Sequence, residues 1–453
     1  MLKMLKHIAP FALILLGASA CDSKLDVAPT QTIDENLALA TSQDVKVTLT
    51  GAYDGLGGGN LYGGGFQFTS EFLGDDREFV FGGTFSNLDE IWRKTVTPGN
   101  SQTTATWLAA YATINRANNV LSALSIVDEA DRGQVEGEAR FIRGVLYFEL
   151  VKLWGKTWGD GDNNANPGVP LVTTPTRAIT DEDYRSRASV QAVYAQVIED
   201  LTKAESLLPA TDAGDDATRA TRDAASAMLS RVYLMQGNYA LARDAANKVI
   251  QSGARELEAT FPDVFATGGE SNEMIFRIAV SDQDATNSMT TYFAPATYPG
   301  GRGDIRLQTK YFNLYEATDV RRDFFVTTNS GSRSFTSKFL DQYGDVPVVR
   351  MAEMYLTRAE CNQRLGTSVG ATPLADVNVT RTRAGLAPLA TATLAAILKE
   401  RHLELAFEGN NLDDLKRTRA SVGTKPFGDN SLVLPVPQRE IDTNKSLAQN
   451  PGY

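Results

Sequence analysis

RDAASAMLSRVYLMQGNYALARDAANKVIQ, residues 222–251, carries two helical periods separated by a two-residue break. Ala225, Met228, Leu229 and Val232 recur at i, i+3, i+4 and i+7, which is one stripe of an amphipathic helix. Gly237-Asn238 interrupts that stripe, and Tyr239, Ala242, Ala246, Val249 and Ile250 resume the same period at once. So short a break folds the chain back on itself, so the stretch predicts an antiparallel helical hairpin. Alanines facing alanines let the two axes approach closely. One hairpin cannot bury its own apolar face, so others of the kind must stack on it.

The turn followed by Tyr239 and a run of alanines looks like a tetratricopeptide repeat. Similar periods lie on both sides of it. Val45 to Tyr53 can form a first helix, and Trp107, Tyr111, Ile114, Leu121 and Leu124 are spaced by threes and fours. Residues 134–154 and 190–208 follow suit, and these last three with the hairpin make about five helices in an antiparallel stack by Ser252. Helices are expected again over 349–365, 375–384 and 394–419. Two segments break the pattern. In residues 57–92 two glycine triplets dissolve the periodicity around Phe66, Phe68, Phe72, Asp75, Asp76, Arg77, Phe79, Phe81 and Trp92, and residues 261–337 are rich in Gly, Thr, Asn and aromatics. The expected class is mostly α: tetratricopeptide-like helical pairs supporting long irregular loops, with a few short strands.

At 453 residues with 42% hydrophobic and 22% charged residues, the chain can bury a large core. Its formal charge of −11 and the lack of a dense Lys/Arg run argue against nucleic-acid binding, whose affinity comes mostly from basic contacts. Lys3 and Lys6, an apolar run from Ile8 to Leu16 and Gly17-Ala18-Ser19-Ala20 read as a signal peptide over 1–20, with Cys21 as an acylated N-terminus. Several acyl chains, at ~0.8 kcal/mol per buried CH2, hold a soluble body at a membrane without a spanning helix. The polar stretch over 21–37 suits a tether. Residues 38–453 are expected to form one domain, with a helical part over 38–252, a loop-rich part over 253–345 and a helical part over 346–453.

VVRMAEMYLTRAE (348–360), DVNVTRTRAGL (376–386), ILKERHLELAFEGNNLDDLKRT (397–418), LPVPQREIDTN (434–444) and the terminal QNPGY resemble, in order and spacing, the C-terminal signature of the SusD/RagB family. YATINRANNVL (111–121), GEARFIRGVLYFELVKLWG (137–155), GVPLV (168–172) and CDSKLD (21–26) are similar to its N-terminal pattern. The resemblance implies a lipoprotein on the surface of the Bacteroidetes outer membrane that binds oligosaccharides or other nutrients, peptides included. It also implies a partner, a SusC-like TonB-dependent transporter on which the protein sits as a lid.

Catalytic chemistry has little to work with. Beyond the leader there is one histidine, His402, so His-based triads and two-His metal sites cannot be built. Cys361, the sole cysteine after Cys21, reads as a small core residue. Glu400, Glu404 and Glu408 would share one helix face, and a suitable acid pair can hydrolyse glycosides, but nearby Arg381, Arg383, Lys416 and Arg417 can neutralise the stripe. Asp160, Asp162 and Asn164 begin like a calcium loop, yet Ala165 and Leu171 stand where the EF-hand needs Gly and a bidentate acid. The expected function is therefore glycan binding without catalysis or cofactor and with no metal site assigned, a calcium site looser than an EF-hand staying open, and with a glycoside hydrolase or a protein-binding scaffold as alternatives. Flat rings stack on sugar C–H faces while polar groups bond hydroxyls. The two irregular segments should converge, bringing Trp92, Tyr292, Phe293 and Tyr298 together as stacking residues and Asp76, Arg77 and Arg302 as polar partners. Trp107 and Trp154 lie on apolar helix stripes and belong to the core.

Overall fold

A computed structural model describes residues 39–211, 214, 217–266, 271–327 and 334–453. The signal peptide, Cys21 and the tether lie outside the described residues.

The first helices are α1 (Ser42–Gly57), α2 (Gly65–Gly74), α3 (Ser86–Arg93) and α4 (Ser101–Ser122). They are followed by α5 (Glu129–Trp154), α6 (Val190–Leu207), α7 (Arg222–Met235) and α8 (Tyr239–Ser252). The hairpin read at 222–251 is α7 and α8. Thr221 caps α7 by accepting from Ala224 N, and Gly237, at φ 71°, makes the turn that Asn238 converts into the cap of α8. α1 packs on α4, α4 on α5, α5 on α6, α6 on α7 and α7 on α8. Small residues set the spacing: on α5 a Cβ added at Gly137 would fall 2.9 Å from Leu208 Cγ, and one at Gly144 3.1 Å from Leu201 Cγ. Trp107 and Trp154 are buried edge to face at 5.4 Å, with Trp154 Nε1 donating to Pro435 O at 2.8 Å.

The stack is completed by α11 (Met351–Leu365), α12 (Pro373–Arg383) and α13 (Leu394–Glu404), between which and α8 come the short helices α9 (Ser288–Phe293) and α10 (Thr309–Phe312). α11 packs on α8, α12 and α13. The residues just before α11 are a strand and not part of the helix: Val346–Arg350 pairs antiparallel with Met274–Ile278, and all ten residues are buried.

Two expectations need correcting. Residues 57–92 are not one irregular loop, because they hold α2 and α3. All ten residues of α2 are buried, so the helix shows no amphipathic stripe for a sequence reading to find. The helix expected over 394–419 is broken into α13 and α14 (Asn411–Arg417) by Phe407 at φ 66° and Gly409 at φ 85°. Tertiary contacts make the break. The Phe407 ring packs on Phe79, Phe293 and Tyr311, and Gly409 lies so close to α2 that a Cβ there would fall 2.9 Å from Gln67 Cα. The carbonyls freed at the end of α13 are met by buried cations: Arg350 and Lys338 both donate to Glu404 O, and Lys338 also to Ala406 O.

The two loop-rich segments meet in a four-stranded antiparallel sheet ordered β1–β3–β5–β4, with β1 (Phe79–Phe81), β3 (Ile305–Leu307), β4 (Phe325–Thr327) and β5 (Ser334–Thr336); β2 and β6 are the pair at 274–278 and 346–350. Phe79 faces Leu307, Val80 faces Arg306 and Phe81 faces Ile305. Alternation buries Phe79, Phe81, Ile305 and Leu307 and turns Val80 and Arg306 outward.

Candidate functional site

Beneath the sheet a succession of rings leads from the core to the surface. Phe407 contacts Phe79, Phe79 contacts Phe72, Phe72 contacts Phe68, and Phe68 meets Tyr292 edge to face at 5.1 Å. Tyr292, half-buried on α9, then meets Phe85 at 6.3 Å and 88°. Phe85 ends the series in solvent, 42% exposed. The Arg302 guanidinium lies 4.4 Å from the centroid of the Phe85 ring, donates from Nε to Asp304 Oδ2 at 2.9 Å and from Nη2 to Thr84 Oγ1 at 3.1 Å. Tyr292 is anchored by the packing of α9 on α2 and β3. The result is a rigid, partly exposed pair of rings beside a fixed cation, the arrangement that sugar rings use for stacking and hydroxyl bonding.

The other sequence candidates are placed as follows. Phe293, next to Tyr292, is 1% exposed and packs on Phe339 and Phe407, so its ring has no face for a ligand; it is corrected to a core residue. Trp92 is on α3, half-buried, with Nε1 donating to Asp75 Oδ2 at 2.9 Å and Arg93 over its ring at 5.2 Å, which pins α3 to the turn before β1. Asp75 also accepts from Glu78 N and Phe79 N, so it caps that turn. Asp76 pairs with Lys310 at 2.7 Å, and Arg77 is exposed at φ 63°. Tyr298 is half-buried in the loop that returns the chain from α9 to Arg302. Nothing in the sequence marks Phe85 or Arg306 as part of a site. Phe85 sits in the short GGTFSN stretch, where nothing in the pattern distinguishes an outward ring from an inward one.

Two clefts elsewhere lack this chemistry. One of about 410 Å³ beside Gly57, Asp54 and Asn287 contains a single ring, Tyr53, which Arg219 covers at 4.3 Å. One of about 330 Å³ is lined by Asp76, Glu78, His402 and Asp414, but these acids are paired with Lys310, His402, and Arg401 with Arg417.

The acidic stripe is neutralised, by two of the expected cations, Arg381 and Arg383, together with three others. Glu404 is bonded by Arg321, Arg350 and Arg383, Glu400 by Arg321 and Arg381, and Glu408 by Arg350 and Lys338. Burial alone would raise the Glu404 carboxyl, but Arg383, Arg350 and Arg321 hold it well below the usual carboxylate range. Lys416 instead donates to Lys152 O, and Arg417 pairs with Glu360 and Asp414. Cys361 is fully buried, and burial pushes its thiol up to about 12, so it is inert at neutral pH. Among the described residues no three His, Cys, Asp or Glu side chains converge as metal ligands, and no helix is long and apolar enough to cross a membrane.

Residues 25–234 match the SusD-like family model described as starch-binding and associating with the outer membrane, and residues 325–453 match the model of the SusD family. The chain belongs to the SusD/RagB family. Among SusD-like relatives, SusD-like protein P2 of Formosa agariphila is 25% identical, aligned over 99% of this chain and 100% of the relative. The starch-binding protein SusD of Bacteroides thetaiotaomicron is 31% identical over 123 residues, 24% of this chain and 22% of SusD. A solved SusD superfamily protein from Bacteroides thetaiotaomicron has a TM-score of 0.78 at 25% identity, covering 91% of this chain and 100% of that one. Surface glycan-binding protein A from the same organism, solved with laminarihexaose, shares the fold at a TM-score of 0.77 and 21% identity, covering 90% and 99%.

Proposed function

We propose that this protein is a lipid-anchored glycan-binding protein of the cell surface that delivers oligosaccharide to a SusC-like TonB-dependent outer-membrane transporter. The observation that carries the reading is the partly exposed Phe85–Tyr292 pair with Arg302 beside it, held on a sheet built from both loop-rich segments of a SusD/RagB fold. Phe85, Tyr292 and Arg302 form the centre of the proposed site, with Tyr298, Asp76 and Arg77 as outlying contributors. The site works without turnover, since the acids that could act in pairs are engaged by buried cations. Cys21 carries the acyl anchor.

Native electrophoresis through gels containing single polysaccharides tests the binding, and a reducing-end assay on the same polysaccharides tests the absence of turnover. Retardation by at least one glycan with no new reducing ends supports the reading. Turnover, or free migration in every gel, contradicts it. For delivery, a TonB-dependent protein should co-purify from the native membrane through a face burying well over ~1,000 Å².

A further inference from the structure

Beside Phe85 the stretch 82–85 is overlaid by a row of charges from residues 302–306, which lead into β3. Arg306 lies across Gly82: a Cβ on that glycine would fall 2.6 Å from the Arg306 Cζ and 2.9 Å from its Nε. Asp304 lies across Gly83 in the same way, 2.6 Å from Cγ to the Cβ position, and Arg302 reaches Thr84 and Phe85. Two cations and one acid therefore cover four consecutive residues. Arg302 engages the acid. Arg306 is left with no ion pair and no side-chain hydrogen bond among the described residues, and its buried Nε has no acceptor. Arg321, Arg350, Arg358, Arg383, Arg401 and Arg417, by contrast, each sit on one or more carboxylates. Arg306 is half-buried at the edge of the proposed glycan site, on the outward face of the β1–β3 pair.

An unsatisfied guanidinium at a binding face is a receptor for a planar or tetrahedral oxyanion, which takes two of its N–H donors at once. We infer that the glycan bound at this site carries an acidic substituent, a carboxylate or a sulfate ester, seated on Arg306 while the rings of Phe85 and Tyr292 take the sugar face. The full chain carries a formal charge of −11 and repels polyanions, so such binding depends on this local cation and not on a general field. Glycines at 82 and 83 are part of the device: any side chain at Gly82 would displace the guanidinium from the surface it lies on.

The inference rests on the glycan-binding reading, and one experiment separates their failures. Wild type, Arg306→Gln, Arg306→Lys and Tyr292→Ala are run through native gels containing polygalacturonate, carrageenan or laminarin, which supply a carboxylate, a sulfate ester and no charge. The wild type should be retarded most by one of the two acidic polymers, and which one identifies the substituent. Arg306→Gln should weaken that retardation by about tenfold or more, as expected for losing charge-assisted hydrogen bonds, with Arg306→Lys restoring part of it and the melting temperature unchanged. Retardation by laminarin alone, or acidic retardation that Arg306→Gln leaves intact, overturns the inference and leaves the glycan-binding reading standing. Free migration in all three gels overturns the inference and counts against that reading.

Discussion

Glu71 shows how one buried group shapes the pH response. It is 3% exposed on α2, and burial pushes its carboxyl up to about 8, although the Gly409 N–H it accepts from and the nearby His402 act the other way. A carboxyl that stays protonated in the folded state while the unfolded chain ionises makes stability fall as pH rises. The stabilisation is complete below the unfolded value near ~4.3 and is lost as pH climbs through about 8. Glu71→Gln keeps the acceptor for Gly409 and removes the titration. Melting curves at pH 5 and pH 9 should show the wild type losing stability by a few kcal/mol and the variant losing much less; equal losses would contradict the assignment. Neighbouring aromatics divide as sharply. Phe293→Ala should cost ~3–5 kcal/mol in denaturant melts, because the ring is core, whereas Tyr298→Ala should cost far less. The sequence could not separate Tyr292 from Phe293, since α9 has only six residues and too few turns to display a period.

At the scale of elements, buried ion pairs do what the helical pattern alone cannot. Glu404 to Glu408 keeps a helix-compatible composition, but Gly409-Asn410 carries the same break signal as Gly237-Asn238, which a reading of residues 394–419 as one helix passes over. The break sets in earlier still, where Phe407 enters the aromatic cluster and Arg350 and Lys338 satisfy the exposed end of α13. Arg350 also joins Glu273, Glu404 and Glu408. Arg350→Met leaves three buried carboxylates short of a partner, so it should destabilise the protein by ~3–5 kcal/mol. A denaturation midpoint within error of the wild type would show that the network contributes nothing. The long helices α4 to α8 were legible because each has an apolar face repeated over several turns. α2, buried on every side, and the three-residue strands were not, because neither has a periodic signal long enough to read.

For the whole molecule, the helical stack is a support and the sheet it carries is where the two loop-rich segments converge. Their convergence was foreseeable from two segments that both interrupt the helical stack, and the register Phe79–Leu307 to Phe81–Ile305 realises it. Which side chains crown the sheet was not foreseeable: Phe85 precedes α3 in a stretch without periodicity, and Arg306 takes its place from strand pairing and from the space above Gly82. The central claim is that this crown binds the glycan. Calorimetric titration of wild type, Phe85→Ala and Tyr292→Ala, with an oligosaccharide cut from the polysaccharide that retards the wild type most, tests it directly. Each variant should bind roughly tenfold more weakly, the loss of one stacking ring, while its melting temperature stays close to that of the wild type. Wild-type affinity in both variants at unchanged stability would contradict the claim.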